Sequence, residues 1–220
     1  RILGTQHATT GRTENPEDQP GDGSSWNTAD QVRRSLDLRG NLTLPRSAVL
    51  TVGVEREWQE EQTEIESISS FGLYADSTDE QRASTGWYAQ LHGDVARTLA
   101  ATVGARIEDN EKFGTFRTGR AALSWQTARG TRVHTPMGTA FKEPPFYEQF
   151  AQGFLLGNPA LEREEARSVE LGVMHEVSGV AFSATAFHQR FRNLIQFTGS
   201  PAPGASNYFN IGAARAQGVE

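Results

Sequence analysis

The sequence contains no cysteine, so neither a disulfide nor a cysteine-ligated metal site can form. It also contains no long apolar run, whereas a membrane-spanning helix needs about 18 consecutive apolar residues. A transmembrane helix is therefore excluded. The low mean hydropathy of −0.54 does not exclude a transmembrane β-barrel, because barrel strands alternate lipid-facing and lumen-facing residues and average out as polar.

Recognisable catalytic motifs are also missing. The sequence has no H-E-x-x-H, G-x-S-x-G, Walker A or dinucleotide-binding pattern. Adjacent Glu164 and Glu165 point to opposite faces of a strand, which makes them a poor acid–base pair. We therefore predict neither enzyme activity nor a metal or cofactor site, and the formal net charge of −6 argues against nucleic acid. The five histidines are scattered: His7, His92, His134, His175 and His188.

What the sequence does contain is strict alternation of apolar and polar residues. From Gln31 to Thr43 the even-numbered and odd-numbered residues (the two parities) differ sharply in polarity, and the next stretch, from Ala48 to Trp58, repeats the pattern. One parity of the first stretch is apolar: Val32, Leu36, Leu38, Leu42 and Leu44. The other is polar: Gln31, Arg33, Ser35, Asp37, Arg39 and Asn41. About ten such strands are predicted, and only the stretch Val180–Phe191 leaves its facing open.

Short turns alternate with long loops between these strands. The loops are predicted at residues 9–28, 59–80, around Lys142–Asn158 and at 192–207. Such alternation, with strands of about 9–14 residues, is typical of an antiparallel up-and-down transmembrane barrel. Trp58, Trp87 and Trp125 near the predicted strand ends suit an interfacial aromatic girdle.

Two motifs carry a family resemblance. The first joins Phe141, Lys142 and Pro144 to a G-N-P-x-L-x-x-E run, and the second is an N-x-x-x-A-x-x-x-G-V-E strand that ends at Glu220. In this order and at this separation they resemble the barrel of TonB-dependent outer-membrane receptors. Arg163 departs from the pattern, since relatives usually carry proline there. The other matching residues are Gly157, Asn158, Pro159, Leu161, Glu164, Glu170 and Gly172, then Asn210, Ala214, Gly218 and Val219.

The resemblance implies an all-β fold in which residues 1–220 form part of one plugged barrel domain. Such barrels have about 22 strands, so we expect the closing strands and the plug domain to lie outside this sequence, which begins and ends inside predicted strands. The implied protein is a receptor of the bacterial outer membrane. It takes up a scarce nutrient such as an iron–siderophore complex or cobalamin, with outer-membrane lipid, the plug and, through the plug, TonB as partners.

The site residues follow from this picture. Aromatic residues of the outer loops are expected to contact the ligand, although simple loop packing stays open for each of them: Phe71, Tyr74, Phe113, Phe146, Tyr147 and Phe154. Charged residues of the polar face are expected to face the lumen and plug, with a solvated sheet face as the alternative: Arg33, Asp37, Arg39, Glu55, Asp94, Arg106, Glu108 and Glu170. Loop acids suit Ca²⁺ in composition but not in spacing: Asp18, Asp22, Asp76 and Asp79.

Two other classes of protein stay open. A soluble β-sandwich, for instance a carbohydrate-binding module, also shows alternating strands, but it buries its apolar rows against a second sheet and needs no detergent. A non-transporting outer-membrane barrel, such as an adhesin or passive pore, shares the strand pattern but lacks a plug. Sequence upstream of Arg1 would separate this class from an active transporter.

Overall fold

The computed structural model describes residues 1–17, 23–45, 47–70, 72–128, 130–152 and 155–220. They form one antiparallel sheet in which every strand pairs with its neighbours in sequence, from β1 to β10. The strands are β1 (Ile2–Asn15), β2 (Ser24–Leu44), β3 (Ala48–Ser69), β4 (Gly72–Ala96), β5 (Leu99–Asn110), β6 (Gly114–Ala128), β7 (Thr131–Lys142), β8 (Glu164–Val177), β9 (Val180–Phe197) and β10 (Tyr208–Val219). A five-residue helix, α1 (Phe146–Phe150), follows β7. The predicted up-and-down topology of about ten strands is confirmed.

A continuous row of paired residues shows that the sheet is sheared. It connects nine strands and runs through Leu42, Leu50, Leu91, Val103, Ala121, Met137, Val169, His188 and Gln217. In β3 the row lies two residues from the first residue of the strand, and in β9 it lies eight residues from it. A stagger of about one residue per strand corresponds to a strand tilt of ~35°, which is the geometry of a barrel wall.

One face of this sheet is apolar and uncovered. Leu42, Val103, Trp125 and Leu171 are each about half exposed, and the described residues contain no second sheet that packs on them. A sandwich buries such rows between two sheets, so the alternative of a soluble sandwich is wrong for this fold. None of the described helical residues forms a helix long and apolar enough to span a membrane.

Tryptophans border the apolar face. Trp58 and Trp87 lie in the middle of β3 and β4, not near strand ends as predicted, and Trp125 lies close to the short turn after β6. The outward residues of β3 from Ala48 to Trp58 are apolar except for Arg56, whose guanidinium lies 5.7 Å from the Trp58 ring. Beyond Trp58 the outward residues of β3 are mostly polar or charged. The span from Ala48 to Trp58 rises about 34 Å along the strand, or about 28 Å once the tilt of ~35° is included.

The predicted long loops at residues 9–28 and 59–80 are mostly wrong, because the strands continue through them. β3 reaches Ser69 and β4 restarts at Gly72, so Tyr74, Asp76 and Asp79 are strand residues. Both faces are polar there, so no hydropathy alternation marks the strands, and hydrogen bonds between strands hold them together. The guanidinium of Arg34 donates to Glu60, for example. Asp18, Asp22, Phe71 and Phe154 lie outside the described residues.

Pairing with β8 settles the facing of β9. Phe182 pairs with His175, and Ala186 pairs with Leu171, so the even-numbered residues of this part of β9 share the apolar face. Phe187 therefore belongs to the opposite face. There its ring lies against Gly218 of the neighbouring strand.

The polar face has a close approach that requires glycine. The ring of Tyr88 crosses the backbone of β3 at Gly53, and its hydroxyl donates to Asp37 on β2 at 2.6 Å. A Cβ at Gly53 would overlap the tyrosine ring. Glycine here permits a contact between side chains two strands apart.

We expect Gly53→Ala to destabilise the barrel by about 1–3 kcal/mol, the usual cost of overpacking. Urea unfolding of the full-length protein in micelles measures the free energy of unfolding. Gly40→Ala is the matched control, because nothing lies within 4 Å of a Cβ at Gly40, and it is expected to be neutral or slightly stabilising. Equal effects of the two substitutions would contradict the close packing at Gly53.

Candidate functional site on the polar face

The centre of the polar face is a cross-strand ion network. Arg106 on β5 bridges Glu55 on β3 at 2.9 Å and Glu108 on its own strand at 2.6 Å. The bridging groups are half-buried or buried. Asp37, which accepts a hydrogen bond from Tyr88, is the cross-strand partner of Glu55. These residues point the same way because the pairing of β2 through β5 brings one parity of each strand to this face.

A recess of about 400 Å³ opens on this network. Besides acidic groups it is lined by hydrogen-bonding side chains and by Arg120 on β6. Its size falls within the range of ligand and side-chain pockets. The recess suits a polar, hydrogen-bonding protrusion better than an apolar ligand. Its polar lining comprises Asp37, Glu55, Tyr88, Gln90, Arg106, Thr118, Arg120 and Thr139.

Higher on the same face, Arg82 of β4 is the most buried cation of the network. Its Nη1 donates to the carbonyl of Pro144 at 2.7 Å, and its Nε lies 3.0 Å from the Glu143 carboxylate, with both side chains about nine-tenths buried. The same guanidinium donates to the Gln59 side chain, and Asn110 donates to Glu143. Strands β3, β4 and β5 therefore hold the segment that follows β7.

That segment carries α1 and an aromatic cluster. The Phe146 ring is 4% exposed, and the guanidinium of Arg82 lies 4.5 Å from its centroid. Lys112 lies 5.6 Å from the Phe146 ring and 4.6 Å from the Phe150 ring. Cation–π contacts of this kind are strongest when they are desolvated. The loop is thus a packed cap with its own small core.

The G-N-P motif shapes the loop and joins it to β10. Asn158 accepts a hydrogen bond from the Ala160 N–H and donates to the Tyr208 carbonyl, both at 3.0 Å. Asn207 accepts from the Leu156 N–H at 2.7 Å, and Leu161 is 3% exposed. The motif residues bond to backbone groups or pack in the interior, so their role in this structure is architectural.

The glutamate that ends the motif and the departure at Arg163 also have structural roles. Glu164 accepts from the Ile195 N–H at 2.9 Å, next to Asn193, whose φ is +53°. Asn210 of the closing motif donates to the Asn193 carbonyl at 2.7 Å, so both motifs support the same irregularity of β9. Arg163 stacks 4.4 Å from the Phe116 ring. This side-chain contact stands where the usual pattern has a proline turn.

The structure brings together Arg33, Asp37, Glu55, Arg106 and Glu108, five of the eight charged residues predicted for the lumen. Arg33 joins through Glu57, at 2.7 Å. The other three lie on β2, β4 and β8, outside the network that the described residues form: Arg39, Asp94 and Glu170.

Sequence reasoning missed the upper part of the network. Gln59 and Arg82 lie at the two ends of what looked like a long loop, and Glu143 seemed an ordinary loop acid. The strands β3 and β4 bring the first two together, and the chain returns to them from β7 with Glu143. The sequence offered one signal for this part of the network. Arg82 ends a run of acidic residues and is the first Lys or Arg after Arg56.

Among the predicted ligand-contact residues that the structure describes, Tyr147 is the one that is well exposed, at 40%. Phe113 lies in the turn between β5 and β6, and Tyr74 lies on β4. Phe146 packs against protein groups in this structure.

Burial raises the pKa of Glu143 above its usual range, as do the nearby acids Glu108 and Glu57, although Arg82 and the hydrogen bond from Asn110 act in the opposite direction. Burial also raises the pKa of Glu148 on α1. Both carboxyl groups belong to the loop, so their raised pKa values predict that its attachment depends on pH.

The model of the family described as TonB dependent receptor-like, beta-barrel, matches residues 3–220. Among curated proteins, the chain is 30% identical over 151 residues to the vitamin B12 transporter BtuB of Vibrio cholerae serotype O1, covering 67% of this chain and 24% of the relative. The corresponding transporter of Vibrio vulnificus (strain CMCP6) is 27% identical over 153 residues, covering 69% and 24%. The chain thus spans about a quarter of the length of these relatives.

Solved structures show the same fold. The siderophore receptor PirA from Pseudomonas aeruginosa superposes with a TM-score of 0.68 and 20% identity, covering 99% of this chain and 43% of that chain. The copper transporter OprC superposes with a TM-score of 0.73 and 14% identity, covering 99% and 38%.

We expect Arg82→Ala to release the loop, because it leaves the Glu143 carboxylate buried without its partner, a change that costs about 3–5 kcal/mol. Hydrogen exchange of the amides of residues 143–163 in the full-length protein measures the effect. Arg34→Ala is the control, since its bridge to Glu60 is about half exposed and such pairs contribute only ~0–1 kcal/mol. Unchanged loop protection in Arg82→Ala would refute the anchoring role.

The raised pKa values predict that docking of the loop strengthens as pH falls. A docked carboxyl with a raised pKa binds its proton more readily than the same group in an undocked loop. Its contribution to docking is complete below the ordinary pKa of glutamate and is lost as pH rises through the raised value. Loop exchange rates, corrected for intrinsic pH dependence, should show this trend in the native protein and lose it in a Glu143→Gln, Glu148→Gln double variant. A trend that persists in the double variant would assign it to other groups.

Proposed function

Because the chain belongs to the TonB-dependent receptor family of β-barrels, we propose that it forms part of the wall of an outer-membrane receptor that imports a scarce nutrient. The nutrient is a cobalamin or an iron–siderophore complex, and the energy for uptake comes through TonB. The sheet supplies the wall, and its extended strands and ordered loop form the outer entrance.

The observation that carries this proposal is the difference between the two faces of one sheet. Leu, Val and Trp side chains are left open on one face, while Arg106, Glu55 and Glu108 pair on the other. The height of the apolar face, about 28 Å from strand rise and tilt, fits the ~25 Å apolar band of outer-membrane barrels. A charge on that face would cost about 2–4 kcal/mol at the midplane, whereas the filled interior tolerates one.

Closure of the barrel requires further strands. The outer edges of β1 and β10 have no partner strand among the described residues, and hydrocarbon cannot satisfy an open backbone edge. The rest of a longer receptor would supply those strands. A plug domain would then lie against the polar face, with the recess beside Arg106 and Arg120 as its contact point, and TonB would engage the plug.

Cobalamin is the first cargo to test, because the similar curated proteins are vitamin B12 transporters and the match extends over two thirds of this chain. The resemblance to a siderophore receptor and a copper transporter, at 20% identity or less, concerns the fold. Tyr147, exposed on the packed loop, and Phe113 are the aromatic contacts that we propose for the cargo.

Binding of cyanocobalamin and of a ferric siderophore to the full-length receptor in detergent would decide between the two cargoes. Isothermal titration with each compound is the direct measurement. We expect one of them to bind, and Tyr147→Ala to weaken that binding about tenfold while the barrel stays folded, because an aromatic ring buried on binding contributes that much. Failure of both compounds to bind would overturn this choice of cargo.

The membrane assignment predicts opposite outcomes for neighbouring substitutions on β5. Val103→Lys places a charge on the apolar face and is expected to destabilise the inserted barrel by about 2–4 kcal/mol. Thr102→Lys places the same charge on the polar face, and we expect a much smaller effect. Urea unfolding in lipid vesicles compares them, and equal losses would contradict the assignment of faces.

A further inference from the structure

The apolar face carries a groove that neither the ion network nor the loop uses. It lies near the short turns, on strands β3 to β7, and has a volume of about 420 Å³, the size of a small-molecule pocket. Nearly all of its lining is apolar. The lining includes Ala48, Leu91, Gly93, Ala101, Val103 and Met137.

Small residues in one row create the groove. Ala48, Gly93 and Ala101 are cross-strand neighbours, two residues nearer the turns than Leu50, Leu91 and Val103. A Cβ at Gly93 would meet the Cα and Cβ of Ala48 at 2.8 Å, so the floor admits no larger side chain there without movement. Larger apolar side chains flank this floor on both sides, which gives a channel across the strands.

The end of the groove near the turns has the chemistry of a membrane interface. Trp125 pairs with Leu99 directly below the groove and is 52% exposed. Arg97 is exposed in the β4–β5 turn. Tryptophan is favoured at the level of lipid headgroups, and a cation at this level attracts the lipid phosphate. Asp94 also lines the groove, at the bulge near the end of β4.

We propose that this groove binds one acyl chain of a glycerophospholipid of the periplasmic leaflet, with the lipid phosphate beside Arg97 and Trp125. The inference rests on the proposed function, because it requires the apolar face to lie in the bilayer. Lipid is the occupant because the groove is continuous with that face, has an apolar lining and ends at a cation and a tryptophan on the short-turn side. Short turns of outer-membrane barrels lie in the periplasm.

Filling the groove tests the proposal. Ala101→Leu places a larger apolar side chain on the floor, and Ala105→Leu makes the same change on the same face of β5 beyond the groove. Native mass spectrometry of the full-length receptor, titrated in detergent with palmitoyl-oleoyl phosphatidylethanolamine, measures lipid affinity. We expect native protein and Ala105→Leu to retain one lipid equally, and Ala101→Leu to bind it about tenfold more weakly, because the new side chain displaces about two methylene groups.

Each outcome has a distinct meaning. Equal retention of lipid by both variants would overturn the proposed lipid site. It would leave the proposed receptor function intact, since the barrel would still insert and unfold normally in vesicles. A receptor dimer that only Ala101→Leu dissociates would assign the groove to a second copy and would also overturn the proposal. Failure of the native receptor to insert into vesicles would instead refute the proposed function. Arg97→Ala adds a separate check, because it should weaken retention of the phospholipid but not of a neutral diacylglycerol.

Discussion

Backbone hydrogen bonding is the constraint on which the rest of this structure depends. A strand in contact with hydrocarbon must pair every N–H and C=O with a neighbouring strand, because no water can replace a missing partner. The row from Leu42 to Gln217 meets this demand across nine strands. Its stagger tilts the strands, and the pleat then sends alternate side chains to opposite faces of the sheet. Both the exposed apolar face and the ion network follow from that one arrangement.

The polar face combines two kinds of stability. Arg106 lies between two carboxylates near the centre of the sheet, while Arg82 and its partners tie the loop after β7 to strands β3, β4 and β5. Burial makes the second cluster sensitive to loss of one partner. Phe146, which lies within cation–π distance of both Arg82 and Lys112, helps to make the loop an ordered cap on the polar face. In a receptor, such a cap would present Tyr147 to a ligand from a fixed position.

The motif residues that carry the family resemblance hold the scaffold together. Asn158, Leu161, Glu164 and Asn210 satisfy backbone groups or fill the small core around the loop and the irregularity of β9. None of these contacts depends on a ligand. In the proposed receptor, exposed loop residues would set the specificity, and lipid would contact the opposite face, where the groove at Gly93 is built from small side chains.

The sequence by itself determined the fold class, the number of strands and the facing of most of them, because alternation of apolar and polar residues is a local property of each strand. It failed between residues 59 and 80, where both faces are polar and only pairing across strands reveals β3 and β4. It also left β9 undecided, since phenylalanine and alanine occupy both parities there. The tertiary structure decided which charges meet: Arg82 and Glu143 are far apart in sequence, and only shear, strand length and the return of the chain after β7 bring them within hydrogen-bonding distance.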